Sequence, residues 1–253
     1  MWPRIGAVRV WRRNLESWKR YALPFFVAAL GEPIFYLIGI GYGLGRFVTD
    51  IEGVPYATFL APGIIAFAAM NTATFETTIG AYTRMAQQHT YTAILATPCS
   101  VADIVAGDVL WGASKSVLAV SFVLLMTTVF GLVHPLAALA ILPLAFAIGL
   151  MFGTLGMVVT SRAPSYDFFN YYFTLVFSVM FLFSGVFYPV DSLPPWAQIV
   201  AWVLPLTHAV NLSRALVSGT VSATVLADLV WISVATVAAY AIAERLIRRR
   251  LLV

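Results

Sequence analysis

The chain has 253 residues, 61% of them apolar and 10% charged, with 15 Lys and Arg against 11 Asp and Glu for a formal net charge of +4. That leaves too few polar groups to cover a water-soluble globule, and it fits a protein whose solvent is the bilayer, where a span needs about 20 mostly apolar residues. Its one cysteine, Cys99, excludes an internal disulfide and argues against a cysteine-based metal site.

In chain order, the first predicted element is an amphipathic helix over residues 2–19. Val8, Trp11, Leu15 and Trp18 recur at helical spacing between arginines, the pattern of a helix lying in the membrane interface. Its basic segment is about 20 residues long and the following run is span-length, so the start does not read as a signal peptide. The basic residues of both tails flank apolar runs. They read as anchors to an anionic leaflet, each contributing about 1 kcal/mol, rather than as a nucleic-acid surface.

Six membrane spans follow: Tyr21–Leu44, Tyr56–Tyr82, one between Val101 and Val133, Pro135 to Thr160, Phe168–Val186 and Val225–Ala243. An even number puts both termini on one side. If that side is cytoplasmic, it holds the ten basic residues of the tails plus Arg84 and Arg162, against Arg46 and Arg214 outside. Such an excess is the signature of the inner face. Few residues lie between spans, so residues 1–253 form a single membrane domain with no room for a receptor or ATPase domain.

Two connections stand out. Arg84 to Thr97 reads as a short cytoplasmic helix along the membrane, residues 87–96, halted by Pro98. Fixed between spans two and three, it would act as a handle moving both; a plain connecting helix is the alternative. Residues 187–216 are apolar but carry Pro189, Pro194, Pro195 and Pro205, and their longest unbroken piece, Trp196–Leu204, is nine residues. That cannot cross a core of about 30 Å, and proline breaks helices. Short half-inserted helices on the outer side are expected, with Trp196 and Trp202 in the interfacial belt.

Charges inside spans are candidate functional residues, because each costs at least about 2.5 kcal/mol at the bilayer centre. They are Glu32 before Pro33, Glu76, Asp108 and Lys115. Asp108, Trp111 and Lys115 share a helix face, although Asp108 and Lys115 lie about 10.5 Å apart along it. An ion-coupled path and a structural network joining spans two and three both fit. The network is the simpler reading, since the charges are few and near the inner ends. Gly149 and Gly153 have the spacing that lets helices approach closely, as do the pairs within Gly39–Gly45. No Walker motif, metal-ligand spacing of His89, His134 and His208, or nucleophile–base grouping occurs. His208 reads as a packed or interfacial histidine.

The succession Phe59-Leu-Ala-Pro-Gly63, Phe75-Glu76, Thr97-Pro98, Asp103-Ile-Val-Ala-Gly107, Ala163-Pro-Ser-Tyr-Asp167, Phe183-Ser-Gly185, Leu193-Pro194 and Leu204-Pro-Leu-Thr-His208 resembles the ABC transporter type-2 permeases. Within them it is similar to the NodJ-like permeases of lipo-oligosaccharide (nodulation factor) exporters. The resemblance implies an all-α polytopic subunit of the bacterial inner membrane that pairs with a second copy and with two copies of a separate ABC ATPase. It is then not itself an enzyme and binds no cofactor, ATP and Mg2+ residing in the partner. The resemblance implies that the interfacial helix, residues 2–19, and the inner helix, residues 87–96, contact the ATPase, with Arg84, Gln87, Gln88, Tyr91, Leu95, Thr97 and Pro98 as the coupling residues. Pro194, Trp196, Trp202 and His208 would lie in the outer helices. The cargo would be amphiphilic: a lipo-oligosaccharide, a lipid-linked or polymeric saccharide, or a hydrophobic drug. An ion-gradient-driven secondary transporter and a non-transporting membrane scaffold are the rivals.

Overall fold

A computed structural model of the chain describes residues 3–48, 50–51, 53–219 and 223–252; Trp2, the first residue of the expected interfacial helix, lies outside them. Helix α1 (Pro3–Trp18) leads through a 3-10 turn into α2 (Ala22–Phe35), which continues as a π-helical stretch, Tyr36–Gly43, and a last turn, Leu44–Arg46. A two-residue hairpin pairs β1 (Asp50–Ile51) with β2 (Val54–Pro55). Then come α3 (Tyr56–Phe75) with π-helical turns at Glu76–Gly80 and Thr83–Gln87, α4 (Thr90–Leu95), α5 (Val101–Val129) and α6 (Pro135–Arg162). Helix α7 (Asp167–Phe183), α8 (Pro195–Val203), α9 (Pro205–Ser218) and α10 (Ala223–Leu252) complete the chain.

Among the described residues, four helices are long and apolar enough to cross a membrane: Tyr56–Gln87, Val101–Val129, Pro135–Arg162 and Thr224–Leu252. The fifth expected span is shorter than anticipated, ending at Phe183 rather than Val186, because Gly185 takes a left-handed φ of 75° and turns the chain. The last helix is longer, running through the C-terminal arginines to Leu252. Helices α8 and α9 meet at 85°, each opened by a proline at its first position, where the missing N–H costs nothing.

Helix α3 is the axis of the bundle: 78% of its most apolar window is buried, against 17% for α10 at the edge. Small side chains make that axis possible. Ala61, Ala66, Ala69 and Ala73 are fully buried, and small residues are what allow helices without a hydrophobic driving force to pack closely. Of the glycines predicted to pack, Gly149 does so most tightly, since a Cβ there would lie 2.6 Å from Ala113 Cα on α5. Gly39 meets nothing within 4 Å.

Both tails collect at one end of the bundle. The inward face of α1 (Ala7, Val10 and Asn14) lies on α5, where Gly107 leaves room: a Cβ there would sit 2.5 Å from Val10 Cβ and 2.8 Å from the Ala7 carbonyl. Trp11 Nε1 donates to Ser114 Oγ at 3.0 Å. Val8, expected on the same apolar face as Trp11, is 54% exposed instead. At the other terminus, Arg250 Nη1 donates to the carbonyls of Thr160 and Ser161 at 2.8 and 3.1 Å, tying α10 to the end of α6.

The connecting helix differs from its expected bounds of 87–96. Arg84 and Gln87 still belong to the long helix of α3, His89 breaks it with a φ of 50°, and α4 covers six residues. The extension survives polar residues because threonines satisfy themselves along it. Thr77, Thr78 and Thr83 donate to the carbonyls four residues earlier at 2.8, 2.5 and 2.7 Å.

Candidate functional site

The spans bring three of the four predicted intramembrane charges together at the tail end. Lys115 Nζ of α5 lies 2.8 Å from Glu76 Oε2, whose other oxygen is 2.6 Å from Arg84 Nη1. Arg84 also reaches Asp108 Oδ2 of α5 at 3.2 Å. Glu76 and Arg84 are eight residues apart on one helix and meet because Gly80 lies between them. A Cβ on Gly80 would stand 3.1 Å from Glu76 Oε1 and 3.4 Å from Arg84 Nη1. Side chains of all four are nearly enclosed, between 1% and 13% exposed, so every charge has a counter-charge in a region where an unpaired one would be costly.

Asp108 is the hub. Besides Arg84, it accepts from Asn14 Nδ2 of α1 at 2.5 Å and from the Tyr91 hydroxyl of α4. Burial first, and then the Asp108 carboxylate, push the Tyr91 phenol well above its usual range, so it stays protonated as the donor. One carboxylate thus holds the first helix, the connecting helix and the two central spans. Trp111, one turn from Asp108, is 2% exposed and packs edge-on against Trp18 at 5.7 Å.

The other residues expected to touch a partner divide by exposure. Gln87, Gln88, Thr97 and Pro98 are exposed and Leu95 is half-buried, forming a surface around α4. Arg84 and Tyr91 are turned inward, and any part they play in coupling is through Asp108. Glu32 stands apart from the charged network: it is exposed on α2 and accepts from Asn71 Nδ2 at 2.8 Å.

At the opposite end of the bundle from the tails, the residues expected in the outer helices form a second polar group. His208 Nδ1 is 2.6 Å from Asp228 Oδ1 of α10, its Nε2 is 3.0 Å from the Trp202 carbonyl, and its ring stacks on Trp231 at 4.3 Å. Arg214 Nη2 donates to Gly185 O at 2.5 Å and its guanidinium lies 3.9 Å over the Phe59 ring. Trp196 is 65% exposed, while Pro194 opens the turn into α8. Nothing in the sequence marks Asn14 or Asp228 as members of these groups. Asn14 is neutral and sits among arginines. Asp228 lies at the start of an apolar run, where an interfacial acid is unremarked; its spacing from His208 carries no motif.

A model of the ABC-2 type transporter domain matches residues 7–217. The chain belongs to the ABC-2 type transporter family. Family membership thus covers α1 through α9 and the whole Glu76–Arg84–Asp108–Lys115 network, while Asp228 lies beyond the match. The chain is 42% identical to Nodulation protein J of Rhizobium leguminosarum bv. viciae over 248 residues, covering 98% of this chain and 96% of that protein. It is 40% identical to Nodulation protein J of Rhizobium meliloti, over 84% of this chain and 81% of that one. Inner membrane transport permease YadH of Escherichia coli matches at 23% identity over 82% and 80% of the two chains. As an ABC-2 family member with these relatives, it is the transmembrane subunit of an ABC transporter.

Proposed function

We propose that this chain is the membrane half of an ATP-driven exporter for an amphiphilic molecule, working as a homodimer with two copies of a separate ABC ATPase on its tail end. In this reading the chain crosses a bacterial inner membrane six times with both tails in the cytoplasm. Helix α1 lies along the inner surface, and α8 and α9 are half-inserted from outside. The distribution of basic residues supports that orientation. The cargo is a lipo-oligosaccharide or another lipid-linked or polymeric saccharide, or a hydrophobic drug. The chain itself binds no cofactor; ATP and Mg2+ belong to the partner.

One observation carries the reading. Asp108 joins α1, α4 and both central spans through Asn14, Tyr91 and Arg84, beside an exposed surface of Gln87, Gln88, Thr97 and Pro98. Pressure on that surface from a closing ATPase would be passed to α3 and α5 together rather than absorbed by a loose loop. Transport further needs the cargo to bind the inward and outward states differently, since equal affinity shifts nothing. Glu32 supports the homodimer: an exposed carboxylate on a span facing acyl chains is costly, and a second copy over α2 would remove it from lipid.

The test is a cross-link. Gln88→Cys, in a Cys99→Ser background, is expected to couple to a cysteine on the ATPase surface, more strongly with ATP bound. Transport that persists with no cross-link from Gln88 or Thr97→Cys would sink the docking assignment.

A further inference from the structure

Beside the charged network, a cavity of about 610 Å3 opens between α1 and the inner end of α3. Three arginines line it: Arg13 and Arg20 from the N-terminal segment, and Arg84 from α3. Its carboxylates are already engaged. Glu76 is shared by Arg84 and Lys115, and Glu16 pairs with Lys19 at 2.9 Å. Arg13 donates only to neutral oxygens, Asn14 Oδ1 at 3.1 Å and Thr90 Oγ1 at 3.3 Å, and Arg20 makes no ion pair among the described residues. Arg84, its charge met by Glu76 and Asp108, keeps a buried Nε–H without a partner.

Arg13 is therefore half-enclosed beside a second guanidinium, and the carboxylate that attracts it, Asp108, is already shared by Arg84, Asn14 and Tyr91. Burial first, and then repulsion from Arg84, weaken its hold on its proton, against the smaller opposing pull of Asp108 and Tyr91. The missing component is an anion. Trp18 and Trp111 also line the cavity, giving it the aromatic flank typical of the level where headgroups meet acyl chains.

We propose that this cavity binds a phosphate-bearing anion, the headgroup of an anionic phospholipid from the surrounding leaflet, between Arg13, Arg20 and Arg84. Basic pockets between membrane helices on the inner face are where such headgroups are held. Arginine suits the task because its planar fork meets two phosphate oxygens at once. A lipid seated there would brace α1 against α3 beside the Asp108 hub. The assignment rests on α1 lying at the membrane surface. It does not depend on the ATPase or on the cargo.

The test uses the full chain in nanodiscs containing equal phosphatidylglycerol and phosphatidylcholine, with retained lipid read by native mass spectrometry after mild extraction. One phosphatidylglycerol retained in preference to phosphatidylcholine is expected, with Arg13→Gln and Arg20→Gln each lowering that preference about fivefold. Arg12→Gln, exposed outside the cavity, is expected to leave it unchanged. If Arg13→Gln fails to fold, Arg20→Gln alone gives the reading. Equal retention of the two lipids, or an equal loss in Arg12→Gln, would overturn the site. Displacement of the lipid by millimolar inorganic phosphate would reassign the site to a soluble anion and overturn the lipid. None of these outcomes bears on export, so the two readings fail separately.

Discussion

Lys115 and Glu76 face each other from α5 and α3 with Nζ 2.8 Å from Oε2, and Arg84 holds the other carboxylate oxygen at 2.6 Å. Glu76→Gln would strand Lys115 in an enclosed site and leave Arg84 to Asp108 alone, a change that costs about 3–5 kcal/mol. Lys115→Met should cost less, because Arg84 still neutralises Glu76. In a thermal-unfolding series in detergent, the double variant should be less damaged than the sum of the single ones. Strict additivity would mean that the pair is not energetically coupled.

Tyr91→Phe removes only the hydroxyl that α4 gives to Asp108. Loss of a hydrogen bond to a charged group is worth about 1.5–3 kcal/mol, here spent on seating α4 rather than on the global fold. The expected phenotype is ATP hydrolysis with little export and a nearly unchanged melting midpoint. Wild-type export per ATP would show that α4 passes force by another route.

Gly107 admits α1 to the side of α5, so Gly107→Val should overpack the crossing at a cost of about 1–3 kcal/mol. Trypsin cleavage at Arg9, Arg12 and Arg13 is expected to accelerate in vesicles, with the remaining bundle intact. An unchanged cleavage rate would contradict the docking of α1 on α5.

The His208–Asp228 pair fastens the bent α8–α9 unit to α10. A cycle of His208→Gln, Asp228→Asn and the double change should give a coupling of about 0.5–3 kcal/mol, read from thermal stability. No coupling would mean that the Trp231 stack, not the His208–Asp228 hydrogen bond, carries the attachment.

Much of the architecture is legible in the sequence, because an apolar run such as Val101–Val129 must be helical once water is excluded. The boundaries were harder. Thr77, Thr78 and Thr83 look like a polar exit from the membrane, yet each bonds back to its own helix and carries α3 on to Gln87. Lys115, Glu76 and Asp108 stood out by cost, but their partners did not. Arg84 sits eight residues from Glu76, and the glycine between them is what permits contact. Asn14 left no trace because an amide among arginines looks like surface, and its role exists only once α1 folds back on α5.

The most direct measurement is uptake of the amphiphile by inverted vesicles that contain this chain with its ATPase subunit. ATP alone should drive accumulation, dissipating the proton gradient should leave it intact, and Tyr91→Phe should leave little of it while hydrolysis continues. Accumulation without ATP, collapsing with the proton gradient, would contradict the account.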